Sequence, residues 1–85
     1  MEIKFTPKAD EDLYYWKNTN NVQVLRKIRK LLEDIQINAF YGLGKPEPLK
    51  HNFSGQWSRR INKDHRLIYE IKNSEIYVYS LKGHY

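Results

Sequence analysis

Several positions in this sequence set a reactive group in an unusual context. Glu47 stands between two prolines, in Pro46-Glu47-Pro48, where each neighbour has a fixed φ and no N–H to donate. The carboxylate is therefore carried on a stiff, extended segment. Ser58-Arg59-Arg60 and His65-Arg66 place cations on adjacent expected strands, across one hairpin. His84-Tyr85 ends the sequence with a side chain that titrates near neutrality and an aromatic ring. Cutting RNA without a metal needs a base for the 2′-hydroxyl, an acid for the leaving 5′-oxygen and a cation for the phosphate charge. Glu47, His84 and Arg66 are the residue types for those roles, in that order. Each also has an ordinary alternative: a solvated loop acid, an outward strand face, a frayed terminus. Trp57, Tyr69, Tyr77 and Tyr79 interleave with the cations as on a nucleic-acid surface, although aromatics at strand spacing more often form core.

Other chemistries find little support. His51, His65 and His84 have no close ligand spacing and no accompanying carboxylate pair, so no metal site is expected. Gly42-x-Gly44 is too little for a phosphate-cradling loop. No Ser-His-Asp or Cys-His arrangement can be argued, and no cofactor is expected. The 85 residues, 40% hydrophobic and 14% aromatic, suit one globular domain spanning 1–85 and exclude a multidomain enzyme. With no cysteine, neither disulfides nor thiolate metal sites contribute. No apolar run approaches a membrane span, and the N-terminus lacks the pattern of a signal peptide, so a cytoplasmic protein is expected. Fifteen Lys and Arg against ten Asp and Glu give +5. That excess favours a polyanionic partner: nucleic acid, an anionic membrane or an acidic protein.

The elements that must position these residues follow from patterning. Glu2-Ile3-Lys4-Phe5-Thr6 alternates as a short strand. Thr6-Pro7 reads as an N-cap with proline at the first helical position. Asp10, Glu11 and Asp12 then lie where the helix dipole favours anions. Ala9, Leu13 and Trp16 form its apolar stripe, and Asn18-Thr19-Asn20-Asn21 breaks it. Val24, Ile28, Leu31, Leu32 and Ile35 repeat at helical spacing and define a second helix. Residues 38–55, with their glycines and prolines, read as a stiffened functional loop. Runs 56–61, 65–71 and 75–81, separated by short polar connections, predict an antiparallel meander. The fold class expected is α+β: an N-terminal strand and a two-helix hairpin packed on one face of a mainly antiparallel sheet. The other face is left for a site.

The stretch Gly44-Lys45-Pro46-Glu47-Pro48-Leu49-Lys50-His51-Asn52-Phe53-Ser54-Gly55-Gln56-Trp57-Ser58-Arg59-Arg60-Ile61, then Asp64-His65-Arg66-Leu67-Ile68-Tyr69 and the terminal His84-Tyr85, resembles the YoeB (Txe) branch of the RelE/ParE toxin superfamily. The resemblance covers nearly the whole chain. It implies a RelE-like fold and a bacterial toxin that cleaves mRNA in the ribosomal A site without a metal. It implies Glu47 as general base, Arg66 as stabiliser of phosphate charge, His84 as general acid and Tyr85 as a nucleotide-orienting ring. Lys50 and Arg59 would contact phosphate. It further implies the ribosome and mRNA as partners, an acidic antitoxin of YefM/Phd type, and a homodimer. Leu43 departs from the family, whose members often carry a polar or basic residue between the two glycines. The alternatives are a ParE-like gyrase inhibitor, which would lack the Glu, Arg and His-Tyr set, or a nucleic-acid-binding regulator without activity.

Overall fold

The computed structural model describes residues 1–83; His84 and Tyr85 lie outside the described residues. The chain begins with strand β1 (Glu2–Phe5) and helix α1 (Pro7–Asn18). Thr6 caps the helix by accepting the Ala9 N–H on its hydroxyl, and Pro7 fills the first turn, where a missing N–H costs nothing. Asn20 adopts a left-handed φ of 54°, and the Asn21 side chain caps α2 (Val22–Ile37) through the Val24 N–H. The three-residue polar break Thr19-Asn20-Asn21 is therefore enough to turn the chain back on itself.

The remaining strands are β2 (Glu47–Pro48), β3 (Trp57–Arg60), β4 (Arg66–Lys72) and β5 (Glu75–Ser80), with a 3₁₀ turn at His51–Phe53 between β2 and β3. They form one five-stranded sheet in the order β1-β5-β4-β3-β2. Among the described residues only the β1–β5 pair is parallel. The β4–β5 turn, Asn73-Ser74, has φ of 54° and 60°, the backbone that lets a two-residue hairpin match strand twist. The segment 38–55 is more ordered than a loop, because Glu47 and Pro48 pair with Ser58 and Trp57.

Both helices cover one sheet face. Ala9 and Trp16 of α1, and Val24, Ile28, Leu31 and Ile35 of α2, are buried against Leu67, Tyr69, Ile76 and Val78. Each of the buried Val, Leu and Ile side chains contributes about 1.5–3 kcal/mol on removal from water. An apolar groove of about 490 Å³ remains between β1 and the helix pair, lined by Ile3, Phe5, Leu13, Leu25, Ile28 and Leu32. Among the described residues no helix is long and apolar enough to cross a membrane.

Helix α1 also fixes the chain beyond β5. Asp12, buried on the same helical face as Ala9 and Trp16, accepts the Leu81 N–H at 2.9 Å and a bond from the Lys8 ammonium at 2.7 Å. The Trp16 indole N–H donates to the Leu81 carbonyl at 2.9 Å. An acid expected to serve the helix dipole is thus an anchor for the end of the sheet. Trp16→Phe leaves that buried carbonyl unpaired, at about 1–3 kcal/mol. Urea unfolding should show at least about 1 kcal/mol of lost stability, whereas the exposed Tyr14→Phe should cost less than about 0.5 kcal/mol. Equal effects would show that the indole bond is not an anchor.

Candidate active site

Glu47 reaches its place because a buried cation fixes the segment that leads to it. In β3, Trp57, Arg59 and the following Ile61 point toward the helices, while Ser58 and Arg60 point away. Arg59 is fully buried. Its Nε donates to the Tyr69 hydroxyl at 3.1 Å. One terminal nitrogen donates to Asp34 Oδ2 at 2.6 Å and to the Leu43 carbonyl at 3.2 Å. The other donates to the carbonyls of Asn38 and Tyr41. All five guanidinium donors are therefore used, and the Tyr69 hydroxyl donates in turn to the Ala39 carbonyl at 2.7 Å. Asp34 also accepts the Leu43 N–H at 2.9 Å. That N–H first, and then Arg59, hold the Asp34 carboxyl below its usual range. Gly44, at φ +79°, sits where a Cβ would lie 2.8 Å from Leu31, and its carbonyl accepts the Arg60 N–H. Three residues later the chain enters β2.

The sheet face away from the helices carries the remaining groups. Register pairs Glu47 with Ser58, Ser58 with Ile68, and Arg60 with Arg66. Residues paired in antiparallel strands share a face, so Glu47, Ser58, Arg60 and Arg66 stand together. Glu47 and Arg66 are two strand spacings and two residues apart, on the order of 12 Å between Cα atoms. Their side chains can converge over Ser58. Glu47 is exposed and Arg66 half-buried. The Arg66 guanidinium is steered by the carbonyls of Asn62 and His65 at 3.1 and 3.3 Å through one nitrogen. The 3₁₀ turn brings Gly55 to within 3.1 Å of the Glu70 carboxylate at its Cβ position, so the 51–55 segment lies over this face. Lys50, just before that turn, is exposed.

The electrostatics differ along the face. Toward β1 the charges are paired: Lys4 bridges Glu75 at 3.2 Å, and the Tyr77 and Tyr79 hydroxyls donate to Glu75 and Glu70. Burial, and next the Glu70 carboxylate, push the Tyr79 hydroxyl up to about 12. It stays protonated and donating at neutral pH. Toward β2, Arg60 and Arg66 lie side by side on paired strands.

The described chain ends beside Arg66. The Arg66 N–H donates to the Gly83 carbonyl at 2.8 Å, and the Gly83 N–H donates to His65 Nδ1 at 2.9 Å. The sequence places His84 and Tyr85 next; the roles expected of both fall on residues outside the described ones. Of the expected site residues, Glu47 and Arg66 share a face, and Lys50 is exposed at its margin. Arg59 is not available for the phosphate contact that the resemblance implies, because no donor is free and no surface is exposed. His65 is not a surface cation either: it accepts at Nδ1 and stacks edge-on to Trp16 at 4.8 Å. Sequence reasoning missed the anchoring of the chain end by Asp12, Trp16 and His65. Among the described residues, no group of three or more His, Cys, Asp or Glu could hold a metal ion.

A family model described as "YoeB-like toxin of bacterial type II toxin-antitoxin system" matches residues 5–85. The chain belongs to this family. It is 45% identical to Toxin YoeB of Synechocystis sp. over 85 residues, covering 100% of this chain and 98% of that one. The YoeB dimer from Staphylococcus aureus superposes with a TM-score of 0.91 at 44% identity, covering 100% and 98% of the two chains. A YoeB-YefM complex from the same organism gives 0.90 at 45%, with the same coverage. The α+β fold and the YoeB-type resemblance read from the sequence are thus borne out.

Two measurements check the Arg59 assignment in this YoeB-family chain. Arg59→Met strands three carbonyls and a tyrosine hydroxyl. It should lower the urea-unfolding free energy by about 3 kcal/mol or more; a phosphate contact would leave stability unchanged. The Asp34 carboxyl, depressed in the fold, stabilises above its unfolded pKa of about 3.9, and that stabilisation disappears as pH falls through the lower folded value. The stability gap between the wild type and Asp34→Asn should therefore narrow below about pH 4. A gap constant with pH would mean that the Asp34 charge contributes nothing.

Proposed function

We propose that this chain is a ribosome-dependent endoribonuclease toxin that cleaves mRNA in the ribosomal A site. The observation that carries the reading is that Glu47 and Arg66 share one sheet face at the strand end where Gly83 is held. Glu47 takes the proton of the 2′-hydroxyl as the 2′-oxygen attacks phosphorus. Arg66 balances the charge that builds on the phosphate oxygens. The 5′-oxygen leaves with a proton from His84. A 2′,3′-cyclic phosphate and a free 5′-hydroxyl are the products. Tyr85 stacks on or orients the nucleotide, and Lys50 binds the neighbouring phosphate. Glu47 is exposed and extended, so it can accept a proton without first leaving a buried partner.

The partners follow from the same reading. The relatives from Staphylococcus aureus include a YoeB dimer and a YoeB-YefM complex. We propose a YefM-type antitoxin and a homodimer for this chain as well. The +5 charge complements an acidic antitoxin segment. The groove beside β1 offers such a segment an apolar seat.

Translating ribosomes carrying a defined mRNA test the chemistry. Glu47→Ala and Arg66→Ala should each keep the wild-type circular dichroism spectrum. Each should cut at least about 10²-fold more slowly, the range for a lost acid–base group or charge stabiliser. An mRNA with a 2′-deoxy nucleotide at the cleavage position should resist the wild type. Cleavage of the deoxy substrate, or wild-type rates from Glu47→Ala, would overturn the mechanism.

A further inference from the structure

Five backbone groups between Leu81 and Gly83 are tied to other elements or side chains. Asp12 takes the Leu81 N–H and Trp16 takes its carbonyl. The Ser80 hydroxyl donates to the Lys82 carbonyl at 3.1 Å. His65 Nδ1 and the Arg66 N–H take the two sides of Gly83. A segment past the last strand is ordered only where it is tied down, and these bonds tie down residues 81–83. His65 is in turn immobilised. Its N–H donates to the Asn62 side-chain oxygen at 2.9 Å, its carbonyl accepts the Ile61 N–H at 3.0 Å, and its ring packs edge-on against Trp16.

We infer that His65 is a positioning residue: by accepting the Gly83 amide at Nδ1, it fixes Gly83, the residue that precedes His84 in the sequence, beside Arg66. In its bearing on activity this deepens the cleavage reading above and rests on it. The bond requires an imidazole with Nδ1 unprotonated, its single hydrogen on Nε2. His65 and the Arg66 N–H hold opposite ends of one residue, so neither φ nor ψ of Gly83 can drift freely. Gly83 uses a φ of +84°, a conformation that glycine adopts without strain. General-acid catalysis depends on such restraint, because a displacement of about 1 Å can cost on the order of 10² in rate.

Three variants separate positioning from mere stability. His65→Leu keeps apolar bulk under Trp16 and removes the acceptor. His65→Phe keeps the ring and also removes the acceptor, and carries the same expectation should His65→Leu not fold. His65→Asn places an oxygen where Nδ1 stood. The readouts are hydrogen exchange of the Gly83 amide and single-turnover cleavage on translating ribosomes, with and without His84→Ala. We expect His65→Leu to lose Gly83 protection and to cleave about 10- to 10²-fold more slowly, with little change in the concentration giving half-maximal rate. His65→Asn should restore most of both. In the His84→Ala background, His65→Leu should cost nothing further.

Unchanged Gly83 protection in His65→Leu and His65→Phe would overturn the inference. So would an Asn variant as impaired as the Leu variant, or an equal rate loss in the His84→Ala background. Wild-type cleavage by His84→Ala alone would overturn the roles of His84 and His65 in cleavage together. The Gly83 exchange result tells that failure apart from failure of the anchor itself.

Discussion

A guanidinium that water cannot reach must find five acceptors in the protein, and that requirement shapes the chain between α2 and β3. Arg59 meets it with one carboxylate, one phenol and three carbonyls from residues 38–43. Those carbonyls belong to a segment with no regular structure, which would otherwise have no reason to hold one path. Asp34 closes the arrangement from α2 by binding both Arg59 and the Leu43 N–H. No buried side-chain nitrogen or oxygen among the described residues is left without a partner, the condition under which a buried charge is tolerated. The segment then passes through Gly44 into the Pro-Glu-Pro strand, so the position of Glu47 depends on a residue on the opposite sheet face.

The two faces divide the work. The helix side supplies the core and, through Asp12 and Trp16, holds the chain beyond β5. The other side keeps the exposed acid and the arginines. Its charges are neutralised pairwise near β1 but not where Arg60 and Arg66 pair across β3 and β4. A polyanion meeting this face is drawn toward the end at which Glu47, Arg66 and Gly83 lie.

Much of this was legible in the sequence, because periodicity reports burial directly. The stripe from Val24 to Ile35, the Thr6-Pro7 cap, the polar break at 18–21 and the short polar hairpin turns each specify local structure by simple physics. The Arg59 network was harder. A chemical reading of Ser58-Arg59-Arg60 counts cations, whereas the alternation Trp57, Arg59, Ile61 puts Arg59 inward. Asp34 between Leu31 and Ile35, and Asp12 between Ala9 and Trp16, carried the same signal of a polar group on an apolar stripe. Their partners lie 25 and 69 residues away, a pairing that no local pattern encodes. His65 was misread for a related reason: residue type suggests a cation, while its neighbours in space make it an acceptor.

The central proposal is that a fold which holds Gly83 beside Arg66 does so for the sake of the two residues that follow in the sequence, which serve in cleavage. Deleting His84 and Tyr85 tests this most directly. The described anchors all lie before residue 84, so the truncated chain should keep its circular dichroism spectrum and lose no more than about 1–2 kcal/mol of stability. On translating ribosomes its cleavage of mRNA should fall by roughly 10²–10⁴, the effect of removing a positioned general acid. A folded truncation that cleaves mRNA at the rate of the full chain would contradict the account.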